Sequence, residues 1–383
     1  MQVGNELLAR GSFSGVESEE YGMNLSHVRQ VVSEYTRAQL YALSSIRKPA
    51  DLHLLWGPIH ARTKLGIGAK NFSLYSLADV PRATWGDYLI NEPLKARYAK
   101  ITSQEARRLA DDKVLFHDHC VAHGVRTAPI VALVTPRQTE GTPIRHVYSA
   151  QALAEVLAPG DYFLKPSDGS HGKGNFSLSA DAQGGLRWSG KQGSFADFFA
   201  YCEAILKHTG ALILQPKLLN HSAIRAITHA KGLSTIRVVT FRKGNEIDVA
   251  AACLRIVVGD SEVDNFSHGE SGNLVSGIDV ASGRLITAIG SRTRSWPRMV
   301  DVPQHPASKA RILDATMPWW DEVIALVKKA HGTIGGLHTV GWDVAILEDG
   351  PLIVEANWRY DVDILQVAYK KGFREVIDGY IAA

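Results

Sequence analysis

The sequence predicts an α+β fold, and three observations carry that prediction. Short apolar and β-branched runs bounded by turn residues fill the last two-thirds of the chain. Helical periodicity interrupts them only at intervals, and the runs follow one another in hairpin-like succession rather than through regular crossovers.

From Ser26 to about Arg47, Val28, Val31, Val32, Tyr35 and Leu40 recur near helical spacing, and Ser26 suits an N-cap. Residues 51 to 100 mix Trp, Gly and Pro with little periodicity and read as an irregular packing or substrate-side segment. Ser103 to about His123 is rich in Ala, Arg and Leu and reads as one helix stopped by Gly124. A short strand follows Pro129. Further strands are expected at Tyr162 to Lys165, Ala211 to Gln215, Thr235 to Phe241, Ile247 to Val257, Trp342 to Leu347 and Pro351 to Ala356. Helices are expected at about 194 to 208, capped by Ser194, and at 318 to 330.

With 383 residues, the chain exceeds the ~250 to 300 residues at which single cores stop growing, so two or three domains are expected. The composition, 45% hydrophobic and 21% charged, is that of a soluble globular protein. A net charge of +3 gives no field that argues for nucleic acid or a membrane surface. Cys120, Cys202 and Cys253 form no CxxC pair and read as free thiols in a reducing cytoplasm. The N-terminus has no basic stretch followed by an apolar run, and no apolar stretch reaches the ~20 residues that span a bilayer, so a cytoplasmic protein is expected.

Three stretches carry chemistry. In Phe163-Leu-Lys-Pro-Ser-Asp-Gly-Ser-His-Gly-Lys-Gly174 a strand runs into a loop with three glycines. Glycines let backbone amides approach phosphate oxygens, and Lys165 and Lys173 add positive charge. It is not a P-loop, and alone such a stretch is more often a plain turn. Gly341-Trp-Asp-Val-Ala-Ile346 and Leu352-Ile-Val-Glu-Ala-Asn-Trp358 flank the turn Glu348-Asp-Gly350 and read as a hairpin. Its pairing brings Asp343 near Glu355 and Asn357, and strand alternation puts the last two on one face. Hard magnesium takes such oxygen ligands, with substrate phosphates completing its shell. The other reading, solvated residues at strand ends, sits poorly with a carboxylate inside Ile353-Val-Glu-Ala356. Ala211-Leu-Ile-Leu-Gln-Pro-Lys217 is an apolar strand that could offer its end to an adenine edge or serve as a plain linker. Arg237 stands in a β-branched strand, where a planar guanidinium suits two oxygens of a carboxylate or phosphate, or a structural ion pair.

With Asp112-Lys113-Val-Leu-Phe116 as the start of a helix, Gly124-Val-Arg-Thr-Ala-Pro129, Leu218-Leu-Asn-His221, Ser234-Thr-Ile-Arg-Val-Val-Thr240 and Val263-Asp-Asn-Phe266 before Gly269, these signals resemble the ATP-grasp superfamily. The narrower resemblance, over roughly residues 100 to 370, is to its sugar-transfer-associated branch. It implies two α+β lobes that clamp ATP, at 103–210 and 211–383, behind a smaller helical or mixed N-terminal domain at 1–102. It implies that Lys113 and Lys165 contact phosphates, and that the loop containing Ser167, Gly169, Ser170, Gly172, Lys173 and Gly174 covers them. Gln215, Pro216 and Lys217 would meet adenine. Asp343, Glu355 and Asn357 would hold one or two magnesium ions, with manganese a possible substitute, and Arg237 would face a reacting carboxylate or acyl phosphate.

Two stretches depart from the superfamily pattern. Lys217, Asn220 and His221 stand where many relatives place an acidic ribose ligand, and Trp358-Arg-Tyr-Asp361 replaces a Pro-Gly turn after the metal-binding Asn. The implied activity is a carboxylate–amine ligase working through an acyl phosphate on small-molecule acids and amines, a sugar, amino acid or peptide among them. A phosphotransferase acting on a hydroxyl, or a non-catalytic nucleotide-binding protein of a glycan assembly system, would use the same nucleotide groups. His117, His119, His123 and Cys120 lack the geometry of a zinc motif, and Ser267-His268 near Glu270 reads as a loop near the substrate rather than a hydrolase triad.

Overall fold

The computed structural model describes residues 25–137, 142–167 and 174–381. The first part is helical: α1 (Leu25–Ser44), α2 (Gly57–Leu65), α3 (Ala69–Leu74), α4 (Asn91–Ile101), α5 (Gln104–Asp111) and α6 (Lys113–Ala122). Where the sequence reads as irregular, the chain forms a 3-10 helix at Pro49–Trp56 running into α2, then α3, two short 3-10 turns and α4. Short helices that wrap a central Trp85 and Phe72 bury residues on several sides, so no single apolar stripe marks them.

The single helix expected over 103–123 is two. Asp112 accepts hydrogen bonds from Val114 N and Leu115 N, both at 3.0 Å, so it caps α6 and ends α5.

Among the described residues the strands form two seven-stranded sheets. The first holds β1 (Ala132–Val134), β2 (His146–Val147), β3 (Gly160–Pro166), β4 (Phe176–Ala180), β5 (Leu186–Trp188), β6 (Lys191–Gly193) and β7 (Leu212–Pro216), in the order β2-β1-β7-β3-β4-β5-β6. Helices α7 (Ala150–Val156) and α8 (Phe195–Leu206) bury their apolar sides with this sheet in one core. Ser194 caps α8 as expected, in a capping box with Asp197.

The second sheet holds β8 (Ile236–Lys243), β9 (Glu246–Ile256), β10 (Leu274–Ile278), β11 (Ile289–Ser291), β12 (Met299–Asp301), β13 (Thr339–Leu347) and β14 (Gly350–Asn357). Its order is β12-β11-β10-β9-β8-β13-β14. Remaining helices are α9 (Ser222–Thr228), α10 (Trp320–Thr333), α11 (Asp363–Tyr369) and α12 (Arg374–Ile381). Among the described residues no helix is long and apolar enough to cross a membrane.

Strand alternation divides the second sheet between two cores. Ile236, Val238, Leu254, Trp342 and Val344 face α5, α6 and α10, whereas Val239, Phe241, Ala251 and Cys253 face the N-terminal helices and α11. Residues 25–102 thus share a core with the second sheet instead of closing one of their own.

The sheets also part at a different point from the expected boundary at 210/211. β7 is bonded between β1 and β3, in register Ala132↔Leu214 and Leu164↔Leu214, so it is a central strand of the first sheet. Conversely α5 and α6 pack on the second sheet.

Candidate functional site

A cleft of about 960 Å³ is walled by both sheets. On β3, Tyr162 and Leu164 point into the first core, so alternation turns Phe163 and Lys165 to the opposite face, where both line the cleft. Across it, the β13–β14 hairpin sets Asp343 directly opposite Glu355 and Gly341 opposite Asn357. Arg237 is the partner of Asp343 on β8, and Cys253 that of Arg237 on β9. Lys113, Lys165, Gln215, Pro216, Lys217, Arg237, Asp343, Glu355 and Asn357 all line this one cavity.

Of the expected loop, the described residues include Ser167 and Gly174. Ser167 and Gly174 do not line the cleft, although the Ser167 carbonyl accepts from Lys113 Nζ at 3.4 Å and so ties α6 to the end of β3. Gly169, Ser170, Gly172 and Lys173 lie outside the described residues.

At the end of β7 the side chain of Gln215 is committed, donating to the Pro129 carbonyl at 3.1 Å, and Lys217 N donates to the Asp161 carbonyl at 2.9 Å. Lys217 Nζ meets Ser177 Oγ at 3.2 Å and Glu262 at 3.7 Å. Glu262, itself a cleft residue, supplies an acidic group near the end of β7 that the sequence reading did not find.

Lys165 is half-buried in the cleft wall, and desolvation lowers its pKa to about 8; Lys113 pushes the same way, while Glu355 and Asp343 oppose. Its charge is therefore lost as pH rises through about 8. A triphosphate bound at Lys165 would favour the charged form, so under that expectation nucleotide affinity falls above that pH and binding near it takes up a proton. Lys165→Ala should weaken ATP binding about 10- to 100-fold, the loss of a charged hydrogen bond. Calorimetry in buffers of different ionisation enthalpy measures both effects, and an unchanged dissociation constant would remove Lys165 from the phosphate site.

Behind the hairpin lies a buried network. Arg237 Nε donates to Asp343 Oδ1 at 2.5 Å and Arg255 Nη2 to Asp343 Oδ2 at 2.8 Å. Arg255 Nε also meets Asp264 Oδ2 at 3.2 Å, and Thr235 donates to that oxygen through N and Oγ1 at 2.8 and 2.6 Å. Burial alone would raise the Asp343 pKa, but the two guanidinium groups hold it below the usual carboxylate range. For Asp264 burial wins, and its pKa is raised. Two positive and two negative groups thus offset one another inside the protein.

Arg255 and Asp264 were not singled out from the sequence. Yet Arg255 in Cys253-Leu-Arg-Ile256 carries the signal that marked Arg237, a guanidinium within an apolar strand.

Magnesium fits part of this arrangement. Among the described residues no three His, Cys, Asp or Glu side chains converge as a metal cluster, and both oxygens of Asp343 are engaged by arginines. Glu355 makes no hydrogen bond to a described residue. Asn357 Nδ2 is shielded from solvent without a partner. An unpaired buried amide is costly, and turning it over would place its oxygen in the same position. Glu355 and Asn357 could therefore hold a hard cation with phosphate oxygens, using the second lone pair of an Asp343 oxygen where needed.

Ser267, His268 and Glu270 line the same cleft. His268 Nε2 lies 2.7 Å from Asp363 Oδ2, a pairing that 95 residues of separation hid from the sequence. His117 instead bonds the Ala128 carbonyl and His119 the Thr333 hydroxyl.

Comparison with curated proteins gives no match. Among solved structures, D-alanyl-alanine synthetase A from Vibrio cholerae aligns at 10% identity over 74% of this chain and 68% of that one, with a TM-score of 0.43. N5-carboxyaminoimidazole synthase from Aspergillus clavatus aligns at 12% over 76% and 58%, TM-score 0.39. Biotin carboxylase from Campylobacter jejuni aligns at 12% over 74% and 48%, TM-score 0.41. The chain thus spans between about half and two-thirds of the length of these structures. The family model for sugar-transfer associated ATP-grasp proteins matches residues 94–379, which contain both sheets and all the described cleft residues except Leu74 and Glu92, and the chain belongs to that family.

Proposed function

We propose that this protein is an ATP-dependent carboxylate–amine ligase that activates its acid as an acyl phosphate. The observation that carries the reading is the convergence, in one cleft, of Lys165 from the first sheet with Lys113 of α6, Glu355, Asn357 and the Arg237–Asp343–Arg255 network from the side of the second sheet.

A free carboxylate is a poor electrophile at neutral pH, and phosphorylation gives it a leaving group. In this reading Lys113 and Lys165 hold the triphosphate, and the β7 end with Lys217 borders the adenine. Magnesium, held by Glu355 and Asn357 beside Asp343, would neutralise charge on the phosphate oxygens as the γ-phosphoryl moves. Arg237 and Arg255 each keep an Nη1 group that bonds to no described residue, and both line the cleft. These donors are placed to orient the acid and to hold its acyl phosphate. The buried network fixes both guanidinium groups beforehand, so little side-chain freedom is lost when substrate arrives. Three buried free cysteines suit a reducing, cytoplasmic setting.

The test is to incubate the enzyme with Mg-ATP, hydroxylamine and a panel of amino acids, hexuronic acids and other carboxylates. The expected result is a hydroxamate formed together with ADP and phosphate. ATP consumption without hydroxamate would count against the acyl phosphate, and a stable phosphorylated product by phosphorus NMR would move the assignment to a phosphotransferase.

A further inference from the structure

His268 has a place in the cleft that the ATP chemistry does not use. Asp363, which faces it, is 5% exposed and tightly held: its Oδ1 accepts from Ile364 N at 2.6 Å, and Asn91 Oδ1 accepts from the backbone N–H groups of Val362 and Asp363 at 3.0 and 3.3 Å. His268 itself is half-buried, with 40% of its side chain open. Its backbone is left-handed (φ 55°), as is that of Ser267 (φ 47°). For non-glycine residues that conformation is strained, and two in succession are held only where the surroundings demand them. The following Gly269 (φ 86°) fixes the turn, because a Cβ there would stand 2.3 Å from Ser291 Cβ.

We propose that His268, oriented by Asp363, is the general base that removes a proton from the acceptor's ammonium group so that the amine can attack the acyl phosphate. The inference rests on the ligase reading above. A carboxylate only accepts, so Asp363 takes the Nε2–H and leaves the Nδ1 lone pair as the base. An alkylammonium has no lone pair, and at neutral pH an amine exists almost wholly in that form, so the step needs an acceptor for the proton.

The protons balance. The ammonium gives one proton to His268 Nδ1. The free amine then forms the C–N bond, the C–O bond to the phosphoryl group breaks, the leaving phosphate carries off a second proton, and the amide keeps the third.

The groups facing His268 are Asp363, Glu270 and Lys70, the last two paired with each other at 2.7 Å. The hydrogen bond to Asp363 outweighs desolvation and raises the His268 pKa above its usual 6.5, towards the neutral range that suits a base.

The experiment compares two acceptors in the full-length protein, using the acid that the hydroxamate screen identifies. Hydroxylamine is already unprotonated at pH 7, whereas glycine, L-alanine and glucosamine are largely ammonium ions. For His268→Gln the expected result is a loss of about 10²- to 10⁴-fold in amide formation, with hydroxamate formation and ATP affinity within about twofold of wild type. In the wild type, kcat/KM for the amine should rise with pH along a limb set by His268. Asp363→Asn should move that limb to lower pH, and it serves as the second variant because it preserves shape.

Parallel loss of hydroxamate and amide would reduce the pair to a loop support and overturn the inference, as would an unaltered amide rate. Wild-type enzyme that yields no hydroxamate from any acid would sink the ligase reading and this inference with it; a wild-type hydroxamate beside an unaffected His268→Gln amide rate would sink the inference alone.

Discussion

Asp343→Ala is expected to destabilise the protein by about 3–5 kcal/mol, the cost of breaking a buried ion pair from one side. Asp343 is 5% exposed and receives both Arg237 and Arg255. Without it, two guanidinium groups on neighbouring strands are left with Asp264 as their carboxylate, and of the two arginines Asp264 meets Arg255 and not Arg237. Urea unfolding followed by circular dichroism measures the loss as a lower midpoint. Asp343→Asn, which keeps the shape but not the charge, should fall between the alanine variant and wild type. A wild-type midpoint for the alanine variant would mean that the two arginines are not held by this carboxylate.

Glu355→Gln is expected to have the opposite signature, a turnover loss of about 10³-fold or more with the fold intact. Glu355 makes no hydrogen bond to a described residue, so its amide can be accommodated with a stability change within about 0.5 kcal/mol. What disappears is the negative charge on the cleft wall, which a bound magnesium ion requires and which opposes the loss of the Lys165 proton. The Lys165 pKa should therefore fall below about 8 in this variant, and the alkaline limb of ATP binding should shift to lower pH with it. Steady-state turnover, unfolding midpoint and ATP affinity against pH separate the three effects. Near-normal turnover would take Glu355 out of the site.

The contrast between these two carboxylates explains how far the sequence could be read. The hairpin of β13 and β14 was legible because both strands are continuous apolar runs around a Glu-Asp-Gly turn, and period-two alternation puts Glu355 and Asn357 on one face; the bulge between Asp343 and Val344, which sets Asp343 opposite Glu355 instead of Val354, was not. What one strand cannot reveal is what its neighbour brings. The arginine that meets Asp343 Oδ2 is 88 residues away on β9, and Asp264 lies on a loop beyond it. Register between distant strands decides that meeting, and no local pattern encodes it.

The helices between Pro49 and Ile101 were missed for a different reason. They are short, some are 3-10, and they enclose Trp85, Phe72 and Tyr98 from several sides, which erases the one-sided period of a surface helix. The helix start at Asp112-Lys113-Val-Leu-Phe116 was legible, whereas the end of α5 just before it was not, because helix-favouring residues stand on both sides of Asp112. Strands of two or three residues, such as β2, β5, β6, β11 and β12, offer too few positions for alternation to register.

The most direct test of the account is a crystal structure with magnesium and a non-hydrolysable ATP analogue. The expected result is an ion about 2.0–2.1 Å from oxygens of Glu355 and Asn357, with Lys165 against the phosphates it bridges. A nucleotide bound outside the cleft, or an ion that touches neither residue, would contradict it.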